Sequence, residues 1–456
     1  MKFFFEPQNV ALIGATDKHG RPGRNLHVNL VKSFGDRYFP VNPRGGEFEG
    51  KKVYRSMSEI PEPVDVAIIF IASESVPQAV EECARKGVRG VIIQSSGFAE
   101  VGPEGRKLQD RIVDIARSHG MRVWGPNCMG LLNVQKNYVM SFMITRMWED
   151  KLTAGDISLI VQSGMLSAGF LMAVLGRAKF GLSKVCSIGN KADVDELDVL
   201  EYMIEDPDTR VMAMYLESIN DGRRFLKAAQ STDKTIIVLK GGTTESGARA
   251  AISHTASMAG NSAIVDGALK QANVIRVEGF YDLLDVARAV SRYGRRNIKP
   301  ARIAVLTFSG AAGIVSSDCI ESMGMKLADF SPQTCDRLRA IYPPWMPPEN
   351  PGDLYPAIEI NGPAKVYFEA LNAVLDDPGV DGVLLHLFAP PFPIIPVNLN
   401  EWEAVLKEKH KPVTAWLMGD PEMSLKMAHE MESRGVHVLP DIDSATRTLA
   451  AIFSGK

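Results

Sequence analysis

The sequence predicts an α/β protein made of three doubly wound units, and two observations carry that prediction. Apolar runs of strand length alternate with amphipathic segments of helix length almost to the last residue, the pattern of parallel sheets covered by crossover helices. Several of these strands end in glycine, serine or asparagine just before a helix, which is where doubly wound sheets form their ligand crevices. A chain of 456 residues is too long for one core and fits two or three domains.

The first block, residues 1–145, contains the strands NVALIGA, RYFPVNP, DVAIIFIA, GVIIQSS and RVWGPN and reads as Rossmann-like. Helical patterns lie between them at Val76–Lys86 and at 104–118, and the period breaks over 142–153. The second block, 146–298, begins at DISLIVQSG and continues through KVCSIGN, VMAMYLES, TIIVLKGG and NVIRVEG. A helix around 281–293 closes it, and the basic, proline-containing stretch 295–300 reads as a linker. The third block, 299–456, opens with RIAVLTFSG and proceeds through GVLLHLFAP, PVTAWLM and VHVLP, interrupted by a proline-rich segment at 343–351. Blocks two and three both open with a strand, a Ser-Gly pair and a helix, which predicts two flavodoxin-like domains.

Composition excludes several classes. Hydrophobic residues make up 45% and charged residues 23%, against a disordered chain. A net charge of −3 gives no electrostatic basis for nucleic acid or an anionic membrane as the main partner. No apolar run is long enough to span a bilayer. The opening MKFFFEPQNVALIGAT has a short aromatic patch interrupted by Glu6 and Pro7, and reads as the lead into a first strand rather than a signal peptide. Cys83, Cys128, Cys186, Cys319 and Cys335 are scattered, without a C-x-x-C pair or zinc-ligand spacing. A reduced, cytoplasmic protein without a metal centre is the expectation.

The strand Val10–Ile13 runs directly into Gly14, Ala15 and Thr16, and the loop continues to Gly20. Glycines at such a turn let the backbone approach a phosphate, and the following helix N-terminus supplies N–H groups. The spacing is not G-x-G-x-x-G, and the second strand lacks the acidic residue that holds a ribose hydroxyl in NAD enzymes, which argues against a dehydrogenase. That strand ends instead in Asn42, Pro43 and Arg44, followed by Lys51 and Lys52. Cations there suit an extra phosphate, as in the 3′-phospho-ADP of CoA; Lys51 and Lys52 also read as a solvated surface pair. Ser96 and Gly97, then Asn127 and Cys128, punctuate two further strand ends and complete the candidate cofactor site.

The segments VALIGAT, FPVNP, SSGFAE, GPNCMG, VQSGML, SIGNKADVDELD, YLESI and GARAAISHTASMAG occur in this order. Together they resemble the ADP-forming acetyl-CoA synthetases and, more distantly, succinyl-CoA synthetase. The resemblance runs in register through the first two blocks and less closely into the third. It implies the CoA-binding α subunit of a nucleoside-diphosphate-forming acyl-CoA synthetase: acyl-CoA, phosphate and NDP are exchanged for acid, CoA and NTP through an acyl phosphate and a phosphohistidine.

On that resemblance His254, in a glycine-rich loop, is the phosphorylated nucleophile; by position alone a lone histidine reads as structural. Glu217 matches the family glutamate expected to hold its ring. Ser163, Gly164 and Met165 match the phosphate-cradling helix start, and Ser309 and Gly310 are its analogue in the third block. An ordinary serine N-cap fits both sites equally. Gly189, Asn190 and Asp193 match a loop near the acyl group, although the acidic run Asp193, Asp195, Glu196 is also a good helix start.

The sequence departs from the family at Ala256, where glycine is usual, and at Met165-Leu166-Ser167, where smaller residues are usual. In the third block the usual N-A-G-G-P-G is Phe308–Gly313, and N-P-V-D is Asn350–Asp353. Nothing resembles an ATP-grasp domain, so the resemblance implies an ATP-grasp β subunit that brings ADP or ATP with Mg2+, in an α2β2 assembly. A catalytically silent CoA or acyl-CoA sensor of the same fold stays open. The acid is open too; the aromatic run ending at Phe388 and Phe392 reads either as an acid pocket or as a buried strand end.

Overall fold

A computed structural model describes residues 1–176, 180–247, 249, 262–391 and 397–455. The chain forms two compact units, one of residues 1–176 and 180–284 and a second beginning at Asp285. His254, Ala256 and Phe392 lie outside the described residues.

The first unit holds two large sheets. Strands β1 (Val10–Ile13), β2 (Tyr38–Val41), a small hairpin of β3 (Gly46–Phe48) and β4 (Lys51–Val53), then β5 (Val66–Ile69), β6 (Gly90–Ile93) and β7 (Arg122–Trp124) follow in chain order. All but the hairpin form one parallel sheet in the order β2-β1-β5-β6-β7. These strands are buried on both faces, which is why they read as unbroken apolar runs. The helix Val76–Lys86 has the predicted bounds, and Pro103–Ser118 starts one residue earlier because Pro103 fits the first helical turn.

The next strands are β8 (Gly130–Asn133), β9 (Tyr138–Met140), β10 (Ala154–Val161), β11 (Leu182–Ser187), β12 (Val211–Leu216), β13 (Thr235–Lys240) and β14 (Ile275–Val277). Their order is β14-β13-β12-β10-β11-β8-β9, parallel except for the hairpin β8–β9, which adds antiparallel to β11. That hairpin precedes residue 145 in the chain and yet completes the second sheet. The opening residues lead into β1 as expected, and within them Lys2–Phe5 make one helical turn. Phe5 is buried between Trp124 of the first sheet, at 5.8 Å, and Tyr202, stacked at 4.2 Å.

The second unit contains β15 (Arg302–Thr307), β16 (Lys326–Leu327), β17 (Gly352–Asp353), β18 (Gly382–Ala389), β19 (Val413–Gly419) and β20 (His437–Leu439). The order is β16-β15-β18-β19-β20, with β17 beside β15. Counted within each sheet, and with the two-residue β17 left aside, five parallel strands in each run second, first, third, fourth, fifth. This is the doubly wound order whose chain reverses direction beside the first strand. The stretch 295–300, expected as a linker, is bonded onto the chain end: Arg296 N donates to Ile452 O at 2.7 Å and Gly455 N to Arg296 O at 2.9 Å. Backbone pairing to a neighbouring segment outweighs its linker-like composition.

Candidate active site

Strand ends build the first half of the site. β1 runs into Gly14 at φ +99°, where a Cβ would come within 2.3 Å of the Phe70 carbonyl oxygen, so only glycine fits. The N–H groups of Gly14 and Ala15 donate to Val41 O at 3.1 and 3.3 Å. Asn42 Nδ2 donates to Ala15 O at 2.9 Å, and Asn42 Oδ1 accepts from Arg44 N at 3.0 Å. The turns after β1 and β2 are therefore one bonded unit containing Gly14, Ala15, Thr16, Asn42, Pro43 and Arg44. Gly20 is exposed ahead of the helix Pro22–Phe34.

Cations near this unit differ in what they face. Lys51 Nζ donates to Asp36 Oδ1 at 2.6 Å, and Lys52 Nζ stands 4.8 Å above the Tyr54 ring. Both are engaged at the surface, whereas Arg44 is exposed directly at the strand end.

After β6, Ser96 is exposed and Gly97 takes φ +101°. After β7, Asn127 adopts φ +56°. Cys128 is buried, its thiol donating to Ile93 O at 3.4 Å and pushed up to about 12 by burial. Its side chain is packing; only its backbone can serve a ligand.

The second half lies at the carboxyl ends of β10 to β13. Gln162 Oε1 accepts from Glu217 N at 2.8 Å and Ser218 N at 3.1 Å, joining the two strand ends at the reversal point of the sheet. Ser163 caps the helix Gly164–Leu175 by accepting from Leu166 N. Met165, in its first turn, is 79% exposed. Glu217 is buried, and Tyr215 O–H donates to its Oε1 at 3.4 Å. Burial first, and then this carboxylate, push the Tyr215 phenol up to about 12.

Two buried ammonium groups bracket Glu217 and Ser218. Lys240 Nζ donates to Glu217 O at 2.6 Å and to Gly241 O, and burial pulls it below the usual lysine range. Lys191 Nζ donates to Glu196 Oε2 at 2.6 Å, Ser218 Oγ at 3.0 Å, Ser218 O at 3.1 Å and Asn220 Oδ1 at 3.4 Å. The Lys191–Glu196 pair is 2% and 0% exposed.

The loops after β7 and β11 are stitched together. Asn190 N donates to Pro126 O at 2.9 Å, Ala192 N to Gly125 O at 3.0 Å, and Met129 N to Ser187 Oγ at 3.0 Å. Gly189 sits at φ +56° with its Cβ direction 2.2 Å from Pro126 O. A seam of hydrogen bonds thus unites the carboxyl ends of β7 and β11, one strand from each sheet.

This seam changes the reading of the loop expected to face substrate. Asp193 accepts from Arg122 Nε at 2.7 Å and Val123 N at 3.0 Å, while Asp195 caps the helix Glu196–Glu205. Asn190 is buried and bonded to Glu100, Gln109 and Asn127. The side chains of Asn190 and Asp193 are therefore turned to protein partners, and Gly189 offers backbone alone.

In the second unit the helix Gly310–Ser322 starts after Ser309, which makes no side-chain cap. Thr307 Oγ1 accepts from Ser309 N at 3.0 Å, and a Cβ on Gly310 would lie 3.4 Å from Asp353 Oδ2. A carboxylate already stands at this helix start. Phe388 is half-exposed with its ring 5.9 Å from that of Phe308.

Sequence reading assigned no role to Gln162, Lys191, Lys240 or Glu100, and to Glu196 only that of a helix start. Gln162 and Lys240 carried one signal, a polar residue closing an apolar strand; the others depend on partners far away in sequence. Among the described residues no group of His, Cys, Asp or Glu is arranged to hold a metal ion, and no helix is long and apolar enough to cross a membrane.

Residues 8–133 match the family model of a CoA binding domain, and residues 154–290 that of a succinyl-CoA ligase like flavodoxin domain. The chain is 35% identical to an acetate–CoA ligase [ADP-forming] II of Archaeoglobus fulgidus over 99% of this chain; it spans 66% of that relative's length. It is 35% identical to the acetate–CoA ligase [ADP-forming] I subunit alpha of Pyrococcus furiosus, covering 99% of this chain and 97% of that one. Among solved structures, the dinucleotide forming acetyl-coenzyme A synthetase 1 of Ca. Korarchaeum cryptofilum, in complex with phosphate and ADP, aligns with a TM-score of 0.87 at 30% identity. That alignment covers 99% of this chain and 96% of that one.

Proposed function

This chain belongs to the ADP-forming acyl-CoA synthetase family, and from that membership we propose that it is the CoA-binding catalytic α subunit of such an enzyme. The reaction is acyl-CoA + phosphate + ADP ⇌ acid + CoA + ATP. Phosphate displaces the CoA thiol from the acyl group to give an acyl phosphate. His254 then takes the phosphoryl group, releasing the acid, and passes it to ADP. In this reading residues 1–145 bind CoA, 146–298 carry the phosphorylated loop, and 299–456 form a second flavodoxin-like domain.

The observation that carries the proposal is the seam between the two sheets. The turns with Gly14–Thr16, Gly20, Asn42–Arg44, Ser96, Gly97, Asn127 and Cys128 form the CoA site in this reading, with the Arg44 cation facing the ligand; the N–H groups of Gly14, Ala15, Arg44 and Gly97 are given to protein acceptors and set the shape of the turns. Ser163, Gly164 and Met165 start a helix whose free N–H groups suit phosphate, and a Cβ on Gly164 would lie 3.7 Å from Met129 N. In this reading the thioester and the attacking phosphate meet at the seam between the two sheets of the first unit. Glu217 holds one ring nitrogen of His254, so that the other, neutral, is the nucleophile.

ADP, accompanied by Mg2+, is supplied by an ATP-grasp β subunit in an α2β2 assembly, and the protein works in the cytoplasm. Ser309 and Gly310 receive the phosphoryl group only with a cation, because the Asp353 carboxylate is already there.

Phosphorylation tests this. The purified chain, with and without a candidate β subunit, is incubated with radioactive phosphate and a panel of acyl-CoAs, and wild type is compared with His254→Asn. An acid-labile, alkali-stable label on wild type alone is the expected result, and the acyl-CoA giving most label names the acid. CoA binding with no label under any condition refutes the synthetase and leaves a CoA sensor.

A further inference from the structure

Glu100 serves two loops at once. Its Oε1 accepts from Gly97 N at 2.6 Å and Phe98 N at 3.2 Å, fixing the turn after β6. Its Oε2 accepts from Asn190 Nδ2 at 2.6 Å, in the loop after β11. Asn190 Nδ2 also donates to Gln109 Oε1 at 3.0 Å, and Asn190 Oδ1 accepts from Asn127 Nδ2 at 3.3 Å. One carboxylate therefore ties the turn holding Ser96 and Gly97 to the loop holding Gly189 and Asn190.

The chemistry of the link sets its direction. An ionised carboxylate only accepts, so the amides must point their N–H groups along the path from Asn127 through Asn190 to Glu100. Bonds to a charged acceptor are about twice as strong as neutral ones. The backbone N–H groups of Gly97 and Phe98 enter from the other side. Nothing in this set is spare, since each amide's orientation is fixed by the next.

We propose that Glu100 is a positioning residue that holds the CoA loop at Gly97 in register with the acyl-site loop at Asn190. This role rests on the synthetase function proposed above. Both loops must be aligned for phosphate and thioester to meet, and a shift of about 1 Å between reacting groups costs about 100-fold in rate.

A swap of hydrogen-bonding polarity tests it. In Glu100→Gln the new N–H group faces the N–H group of Asn190, and in Asn190→Asp two carboxylates face each other. In the double variant the amide introduced by Glu100→Gln donates to the carboxylate introduced by Asn190→Asp. Asn127 donates to the other oxygen of that carboxylate, and the Gln109 amide turns over. Every donor again meets an acceptor. CoA affinity is measured by titration calorimetry on the full-length chain, and KM for CoA and kcat with the β subunit present.

Each single variant is expected to bind CoA roughly 10- to 100-fold more weakly, the worth of a hydrogen bond to a charged group. KM for CoA rises with it, and the double variant returns to within about threefold of wild type, well inside one decade. Glu100→Asp, which keeps the charge but is one methylene too short to reach both loops, falls between and serves if a single variant fails to fold. Wild-type CoA affinity in folded Glu100→Gln, or a double variant no better than the weaker single, overturns the role. A wild-type chain that binds no CoA refutes the proposed function itself, and the role with it.

Discussion

Replacing Lys191 by methionine keeps most of the side-chain length and deletes the charge. Glu196, 0% exposed, keeps the Asn220 N–H at 2.6 Å but loses its counter-charge, and Ser218 loses two bonds from Nζ. Breaking a buried pair in this way costs about 3–5 kcal/mol, because the orphaned charge stays out of water. Adding Glu196→Leu removes that charge as well; beyond the Ser218 bonds already lost, what remains is the unpaired Asn220 N–H, about 1–3 kcal/mol. The double variant is therefore expected to be about 2 kcal/mol more stable than Lys191→Met alone, so the two substitutions are far from additive. Urea unfolding of the full chain, followed by near-UV circular dichroism, measures all three variants. A loss under about 1 kcal/mol for Lys191→Met, the scale of a solvent-exposed pair, would refute the reasoning. So would strict additivity of the two substitutions.

Three further outcomes are expected. Gly189→Ala carries about 1–3 kcal/mol of backbone strain before its 2.2 Å clash with Pro126 O is counted, whereas Gly164→Ala meets nothing nearer than 3.7 Å; their thermal unfolding midpoints should separate clearly. His386 is fully buried on β18, and burial lowers its pKa to about 4. The unfolded imidazole titrates near 6.5, so the unfolded chain binds a proton that the folded one refuses between those values. Stability therefore falls as pH drops from about 6.5 to about 4, by about 3 kcal/mol at the foot of the window. His386→Gln should lose that part of the slope in a pH series of urea titrations, and equal slopes would contradict the burial. Iodoacetamide at mildly alkaline pH should label Cys319 and Cys335 in the native chain, while Cys83, Cys128 and Cys186, buried with their thiols pushed up, react only after denaturation. Mass spectrometry of the digested protein reads this directly.

Elements with a strong local pattern are legible in the sequence. The helix Val76–Lys86, most strands of the three sheets and the Ser-Gly turns fall where periodicity and glycine place them. The short pieces are not legible: β3, β4, β16 and β17 are two or three residues long and have no period to detect. The hairpin β8–β9 has residues of the right kind, but its sheet lies with strands later in the chain.

At the candidate site the division is similar. Turn chemistry points to Gly14, Gly97, Ser163 and Gly189, because each strand-to-helix turn needs a particular backbone conformation or cap. The resemblance, not turn chemistry, placed Asn190 and Asp193 near the acyl group, and the structure turns both side chains to protein partners.

What the sequence alone determined was the order of elements, the class of each sheet and the positions of the polar turns, since these follow from interactions spanning a few residues. Only the tertiary structure decided which turns meet. Asn190 finds Glu100 and Gln109 at sequence separations of 90 and 81 residues, and Lys191 finds Ser218 at 27. Buried polar groups must be satisfied wherever folding brings a partner, so their pairing depends on the arrangement of whole sheets rather than on any local window.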